Sequence, residues 1–386
     1  MEFLGYPRPD GTVGVRNHLA VLASVFCANH VVENIAHQVP GAVPLTHPLG
    51  CSQVGADLEQ TARTLISLGR HPNVGAVLVV GLGCERFPAQ ELYAGVAASG
   101  KPVEMVVIQE AGDSLRAVEQ GTRLARRLME ELSRQERESC DVSHLTVGLK
   151  CGGTDATSGI AANPAVGVMS DLLVQAGGST ILTEVTELLG AEHILAQRAV
   201  NPDVGEKIRA TVARMEERLR RAGSDPRFSH RGALISPGNM DGGVTTVVEK
   251  ALGGITKSGS APFVDVLDYG ERIKKKGLYL LDSPGHDGES VTGLVAAGAQ
   301  IVVFTTGRGT PTGFPIAPVV KVTGNPTTYQ RMKENLDYNA GAIIEGEKTI
   351  AQAGAELLAE ILAVANGKRT KAEILGHREL LCIARL

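Results

Sequence analysis

Tryptophan is absent from the 386 residues, and aromatic residues of all kinds make up 3% of the chain, which leaves little with which to stack the bases of single-stranded nucleic acid. Charge of one sign is not in excess either. The formal net charge is −4, so nothing electrostatic draws the chain to DNA, RNA or an anionic membrane. No apolar run is long enough to span a bilayer, and the opening MEFLGYPRPDGTVGVRN has no basic stretch followed by an apolar one, so no secretory signal is expected. The expected location is cytoplasmic. In that reducing compartment the six cysteines read first as small buried side chains, then as metal ligands or reactive groups, and last as disulfides. Nucleotide signatures are missing too: no G-x-G-x-x-G follows the first strand and the G-x-x-x-x-G-K-[ST] spacing does not occur, which removes support for a dinucleotide or ATP.

What is present is enough apolar material, 43%, for a sizeable core, in a chain whose length favours two domains. Short runs rich in β-branched residues (HLAVLAS, GAVPLTH, GAVLVVG, VEMVVI) alternate with helical patterns (NHVVENIAHQV, GADLEQTARTLISLG, PAQELYAGVAASG). That rhythm predicts βαβ units and a parallel sheet with helices on both faces. The charged stretch DSLRAVEQGTRLARRLMEELSRQERES follows, with apolar residues at helical spacing, and is expected to be a solvated amphipathic helix linking two lobes. Beyond it the strands LTVGLK, GGSTILTE, FVDVLDY, GLYLLDS and AQIVVFTT are separated by long loops dense in Gly, Asn, Asp and Thr, of the kind that usually carry function. The expected fold is α/β in two lobes: a Rossmann-like parallel α/β domain over residues 1–137 and a larger α/β catalytic domain with long Gly-rich loops over 138–386.

Three cysteines stand at similar places. Cys51 in THPLGCSQ, Cys84 in VVGLGCER and Cys151 in VGLKCGGTD each follow an apolar run and a nearby glycine. In open α/β sheets the ligand crevice lies outside the carboxyl ends of the strands, and three thiols gathered there could hold a soft metal ion or three corners of an iron–sulfur cluster. The alternative is that they are small residues packed behind Gly-rich turns. His47, Glu85, Lys150 and Asp155 flank them and offer acid, base and supporting donors. Cys27, Cys140 and Cys382 read as structural. In FTTGRGTPTG, the backbone of Gly307 and Gly309, the hydroxyl of Thr306 and the guanidinium of Arg308 suit a carboxylate or another planar anion. Asn163 and Lys257 are further candidate substrate contacts, Lys257 within a polar set that also holds Asn239, Asp241, Glu249 and Lys250. Part of that set is expected to start a helix instead, since Glu249 lies within a turn of Thr245 and Thr246.

Together, GYPRPDGTVGVRN, HPLGCSQ, VVGLGCER, LKCGGTDATSGIAANPAVG, EVTE, GNMDGGVTTVVEKALGGITKSG, FTTGRGTPTG and LDYNAGAI resemble the large catalytic part of the altronate/galactarate dehydratase family, in order and over nearly the whole chain. The resemblance implies a lyase that removes water from a sugar acid and needs iron, as Fe2+ or an iron–sulfur cluster, or another divalent metal in its place. The chain begins at the GYPRPDG motif, so a separate small SAF-domain subunit is expected as partner, in a homo- or hetero-oligomer. Sulfolactate sulfo-lyases, whose large subunit is similar, give the alternative activity. The resemblance singles out Cys51, Cys84 and Cys151 with their loops, and Arg308 with its glycines; the metal is held by these three thiols or instead by histidine and carboxylate, partly from the small subunit. In the expected mechanism Arg308 and its neighbours hold the substrate carboxylate, and the base is Lys150, Glu85 or Asp155. A nucleotide-dependent oxidoreductase, a noncatalytic binding subunit and an iron–sulfur sensor are the rival classes.

Overall fold

The β-branched runs form two parallel sheets in the computed structural model, which describes residues 1–223 and 234–385. Strands β1 (Glu2–Pro7), β2 (Val13–Gly14), β3 (His18–Ala23), β4 (Ala42–Leu45), β5 (Val74–Gly81) and β6 (Val103–Val107) lie in the first part of the chain. Four of them make a parallel sheet in the order β4-β3-β5-β6. Because successive side chains in a strand point to opposite faces, Leu19, Val21 and Ala23 pack against the helices Asn29–Gln38 and Ser114–Leu132, whereas Ala20 and Leu22 pack toward Gly55–Gly69 and Ala89–Ala97. The sheet is therefore covered on both sides, as a parallel sheet requires.

The charged helix departs from expectation in two respects. It ends at Leu132, and residues Glu138–Asp141 form β7, antiparallel to β1. Its stripe of Ala117, Ala125, Leu128 and Leu132 is buried on the four-stranded sheet, so it covers a face of that sheet and is not a bridge between lobes.

Strands β8 (Thr146–Cys151), β9 (Ser179–Leu182), β10 (Phe263–Leu267), β11 (Gly277–Leu281), β12 (Ile301–Thr305), β13 (Val319–Thr323) and β14 (Tyr338–Asn339) make the second sheet. It is parallel throughout, in the order β10-β11-β9-β8-β12-β13-β14. Helices Asn163–Gln175 and Ile350–Ala365 cover one face around Val147, Leu149, Ile301 and Val303. On the other face Val291, Leu294, Val302 and Phe304 share a core with Leu65 and Leu68 of the first lobe. Polar contacts reinforce the joint: the Asn73 amide donates to the carbonyls of Gln300 (2.9 Å) and Ile316 (3.0 Å). Among the described residues no helix is long and apolar enough to cross a membrane.

Candidate active site

From β8 the chain steps to β9 on one side and later returns as β12 on the other. The carboxyl edge between β8 and β12 is therefore a switch in strand order, the place where ligands of such sheets bind. Lys150 and Cys151 are the last two residues of β8, and Thr305 is the last of β12.

A set of charged groups is buried at this edge. Lys150, Cys151, Glu184 and Lys257 are at most 2% exposed, and Glu187 is 7% exposed. The Lys150 ammonium pairs with Glu184, donates to the Cys151 carbonyl (2.6 Å) and pairs with Asp287 (2.9 Å), whose side chain is 44% exposed. Lys257 donates to the Cys151 sulfur at 3.0 Å and lies 3.5 Å and 3.7 Å from Glu184 and Glu187. The Cys151 thiol donates to Glu187 (2.6 Å), its backbone N–H donates to Glu184 (2.8 Å), and Lys250 pairs with Glu187 at 2.9 Å. Three lysines thus face three carboxylates, which is what allows so many charges to leave water together. The chain accepts local strain to do this: Glu184 has φ +69°, a left-handed backbone that non-glycine residues seldom adopt.

Burial and neighbouring charge set each protonation state. Burial alone would lower the Lys150 and Lys257 ammonium groups, but the surrounding anionic groups outweigh it and both are raised. Lys150 is therefore a fixed cation and hydrogen-bond donor at neutral pH, a different part from that of the base for which it was one candidate. Burial, helped by Glu184 and Glu187, pushes the Cys151 thiol up and keeps it protonated. Burial and the nearby Glu187 raise Glu184. For Glu187 burial works in the same direction, but Lys250, Lys257 and Lys150 prevail and bring it down to about 2.

A thiol and two carboxylates within 4.8 Å of one another make Cys151, Glu184 and Glu187 a possible metal-ligand group. The donor types suit a borderline divalent ion. Their charge, however, is already met by ammonium groups at 2.9–3.7 Å from Cys151, Glu184 and Glu187, and a metal-bound thiolate requires a deprotonated sulfur. An ion would have to displace Lys257 and Lys250 from these positions, so this arrangement of the set does not fit a metal.

On the other side of the turn after β8 lies a pocket of about 370 Å³ lined by Asp155, Asp241, Arg308, Asn325, Thr328 and Arg331, among others. The turn itself is the shared wall. A Cβ on Gly152 would sit 3.2 Å from an Asp287 oxygen, and one on Gly153, at φ +56°, would sit 3.3 Å from the Arg308 Cβ. Arg308 is exposed and its guanidinium makes no hydrogen bond or ion pair among the described residues. The loop's backbone is less free: the N–H groups of Gly307 and Arg308 both donate to the Gly153 carbonyl, and Gly309 N–H donates to Thr306 Oγ1 (2.9 Å). Asp155 accepts from Thr157, from the Ser158 backbone and hydroxyl, and from Asn325. Its carboxylate thereby ties the segment after β8 to the one after β13. Asn163 is buried and engaged with Thr305 (2.7 Å) and Gly253 (3.0 Å). Glu249 takes part in the helix start expected of it, where its backbone N–H is capped by Thr246.

Cys51, Cys84 and Glu85 lie elsewhere. They follow β4 and β5 of the four-stranded sheet, where the Arg86 N–H donates to the Gly50 carbonyl. The three thiols expected to gather do not form one ligand group among the described residues: Cys51 and Cys84 follow strands of the four-stranded sheet, and Cys151 ends a strand of the seven-stranded one. Cys51 and Cys84 are exposed, and neither belongs to a ligand group with Cys151 among the described residues. Glu85 accepts from Ser24 (2.7 Å) and the Gly83 N–H (2.6 Å). Burial would raise its carboxyl, but these bonds lower it. His47 is buried against the Ala23 carbonyl.

Sequence reasoning gave no roles to Glu184, Glu187 or Asp287. Their signals were present: EVTE places two acids three residues apart, one residue beyond the run STIL, and HDG follows the strand GLYLL.

Residues 5–133 match the family described as D-galactarate dehydratase/altronate hydrolase, second domain, and residues 142–386 match D-galactarate/altronate dehydratase, C-terminal. The β subunit of (2R)-sulfolactate sulfo-lyase from Chromohalobacter salexigens is 41% identical over 98% of this chain and 96% of its own length. Altronate dehydratase of Bacillus subtilis is 39% identical over 98% of this chain and 76% of its own length. Galactarate dehydratase (L-threo-forming) of Escherichia coli is 39% identical over 95% and 73%.

Proposed function

The chain belongs to the D-galactarate/altronate dehydratase family and is a lyase of that family; from this premise we propose that it removes water from a sugar acid of the altronate or galactarate type. The product is a 2-keto-3-deoxy acid, and the chain works as a large subunit completed by a small SAF-domain subunit. One observation carries the chemistry: Lys150 joins the buried Glu184 to the half-exposed Asp287 across a glycine turn from Arg308.

A proton on C2 of a 2-hydroxy carboxylate is weakly acidic, so the main task is to stabilise the enediolate that forms when it leaves. Arg308, whose guanidinium has no partner among the described residues, pairs with the substrate carboxylate, for which its planar fork is suited. Asp287 takes the C2 proton. Lys150, held as an ammonium by its carboxylates, supplies fixed positive charge beside the reacting atoms and needs no reorganisation to do so. The C2 electron pair then forms the C2–C3 double bond as the C3–O bond breaks. The Asp287 carboxylic acid returns its proton to the departing hydroxyl, which leaves as water, and the enol becomes the keto acid. Lys257, Glu187 and Cys151 lie behind this pair and act through it by holding Glu184 and Lys150 in place.

The sulfo-lyase subunit, matched along almost its whole length, favours a second reading. There C2 deprotonation breaks a C3–S bond, sulfite leaves with the bonding electrons, and the enol gives pyruvate.

The test is to co-express the chain with a small SAF-domain partner, supply iron anaerobically, and offer altronate, galactarate and sulfolactate. Keto-acid formation from a sugar acid supports the first reading. Pyruvate and bisulfite from sulfolactate alone support the second, and a folded complex that converts none of them rejects both.

A further inference from the structure

A second group of metal-ligating side chains lies at the rim of the charged set. His286, Glu289 and Cys382 each offer a ligand atom, and these atoms are all within 4.8 Å of one another. The first two come from the start of the helix Asp287–Ala296, three residues apart and therefore on the same side. Cys382 comes from the C-terminal tail.

The tail is fixed there by its backbone. The Leu380 N–H donates to the Gly313 carbonyl, while Thr292 Oγ1 donates to the Leu380 carbonyl (3.0 Å) and accepts from the Cys382 N–H (2.8 Å). Gly288 makes the approach possible, since a Cβ there would lie 2.9 Å from the Cys382 Cβ. None of these restraints uses the thiol, which makes no hydrogen bond among the described residues.

This group differs from the buried one in its charge balance. No ammonium or guanidinium pairs with Glu289 among the described residues, and its ion-pair partner is His286 at 3.7 Å. His286 is exposed, whereas Glu289 and Cys382 are half-buried. An imidazole nitrogen, a carboxylate oxygen and a sulfur form a donor set suited to Zn2+, Fe2+ or Co2+, and three protein ligands leave a coordination position open. We propose that His286, Glu289 and Cys382 form a divalent transition-metal site. Asp287, the residue that pairs with Lys150, stands between two of the ligands in sequence, so an ion held here adjoins the charged set without displacing any of its lysines. The proposal does not depend on the lyase reading, because binding is measured directly.

Anaerobic titration of the full-length, reduced, metal-free chain with Co2+ tests it. A sulfur-to-cobalt charge-transfer band should appear in the near ultraviolet and saturate at about one ion per chain. Cys382→Ser should abolish the band while leaving the thermal transition in place, and His286→Ala should weaken binding by at least about tenfold. Cys51→Ser and Cys84→Ser should retain the band. Absence of any thiolate band, or its survival in Cys382→Ser, overturns the proposal. Loss of the band in Cys151→Ser with retention in Cys382→Ser does so as well, because it places the ion in the buried set.

Discussion

Lys257 has no exposed surface, and its partners are the Cys151 sulfur and two carboxylates. Removing one member of a buried charged group leaves the others uncompensated, at a cost of about 3–5 kcal/mol. Lys257→Met should therefore lower the denaturant midpoint by an amount equivalent to that loss, with the slope unchanged. The exposed pair Lys207–Asp265, at 2.7 Å, is the contrast. Lys207→Ala should change stability by less than about 1 kcal/mol, since solvent screens such pairs, and comparable losses in the two variants would contradict this account of the buried set. Lys150, Cys151 and Lys257 stood out in the sequence because charged and nucleophilic residues next to Gly-rich loops are chemically conspicuous. The acids that neutralise them did not, because a carboxylate's partner is a matter of three-dimensional proximity: Glu184 meets Lys150 across two neighbouring strands and Lys257 from a distant helix end.

The elements that present the site are held together by Asp155 and Gly307. A Cβ on Gly307 would lie 2.2 Å from the Asp155 carboxyl carbon, so Gly307→Ala must push the loop after β12 away from the turn after β8. A loss of about 1–3 kcal/mol is expected, as for other overpacked sites, with weaker substrate binding through displaced Arg308. An unchanged melting temperature and KM would refute the close approach. The strands that lead to these loops were legible, because runs such as the IVVF of AQIVVFTT are apolar throughout, as strands covered on both faces must be. Strands β1 and β7 were not. Each is only 4–6 residues long, and β1 alternates buried with exposed positions while β7 is mostly exposed. Short, half-solvated strands of that kind carry little periodic signal. The separation of Cys51 and Cys84 from Cys151 was illegible for a related reason: a βα rhythm announces strand ends without saying how many sheets they belong to.

Taken whole, the molecule depends on histidines that must stay neutral. His71 and His47 are buried, and burial lowers both, outweighing the bonds to Ala299 and Ala23 that raise them. In each ring Nε2 bonds to a carbonyl while Nδ1 accepts a backbone N–H, from Asn73 for His71 and from Leu49 for His47. A second proton would set one donor against another. The unfolded chain takes up these protons near pH 6.5, whereas the folded chain does so only at lower pH. Stability is therefore full above about pH 6.5 and falls as the pH drops below it toward the lowered folded-state values. Urea midpoints at pH 7.5 and pH 5.5 should show this decline, and His71→Gln should reduce it. Since His71 bonds to Ala299 across the lobe junction, mild acid should loosen the joint behind the site. In the proposed mechanism Asp287, the solvent-facing member of the charged set, is the base, and turnover of Asp287→Asn with the proposed small subunit present tests this most directly. A fall in kcat of about 10²–10⁴-fold, typical of a lost general base, is predicted, with KM and the melting temperature little changed. A kcat close to that of the unmodified enzyme would contradict the account.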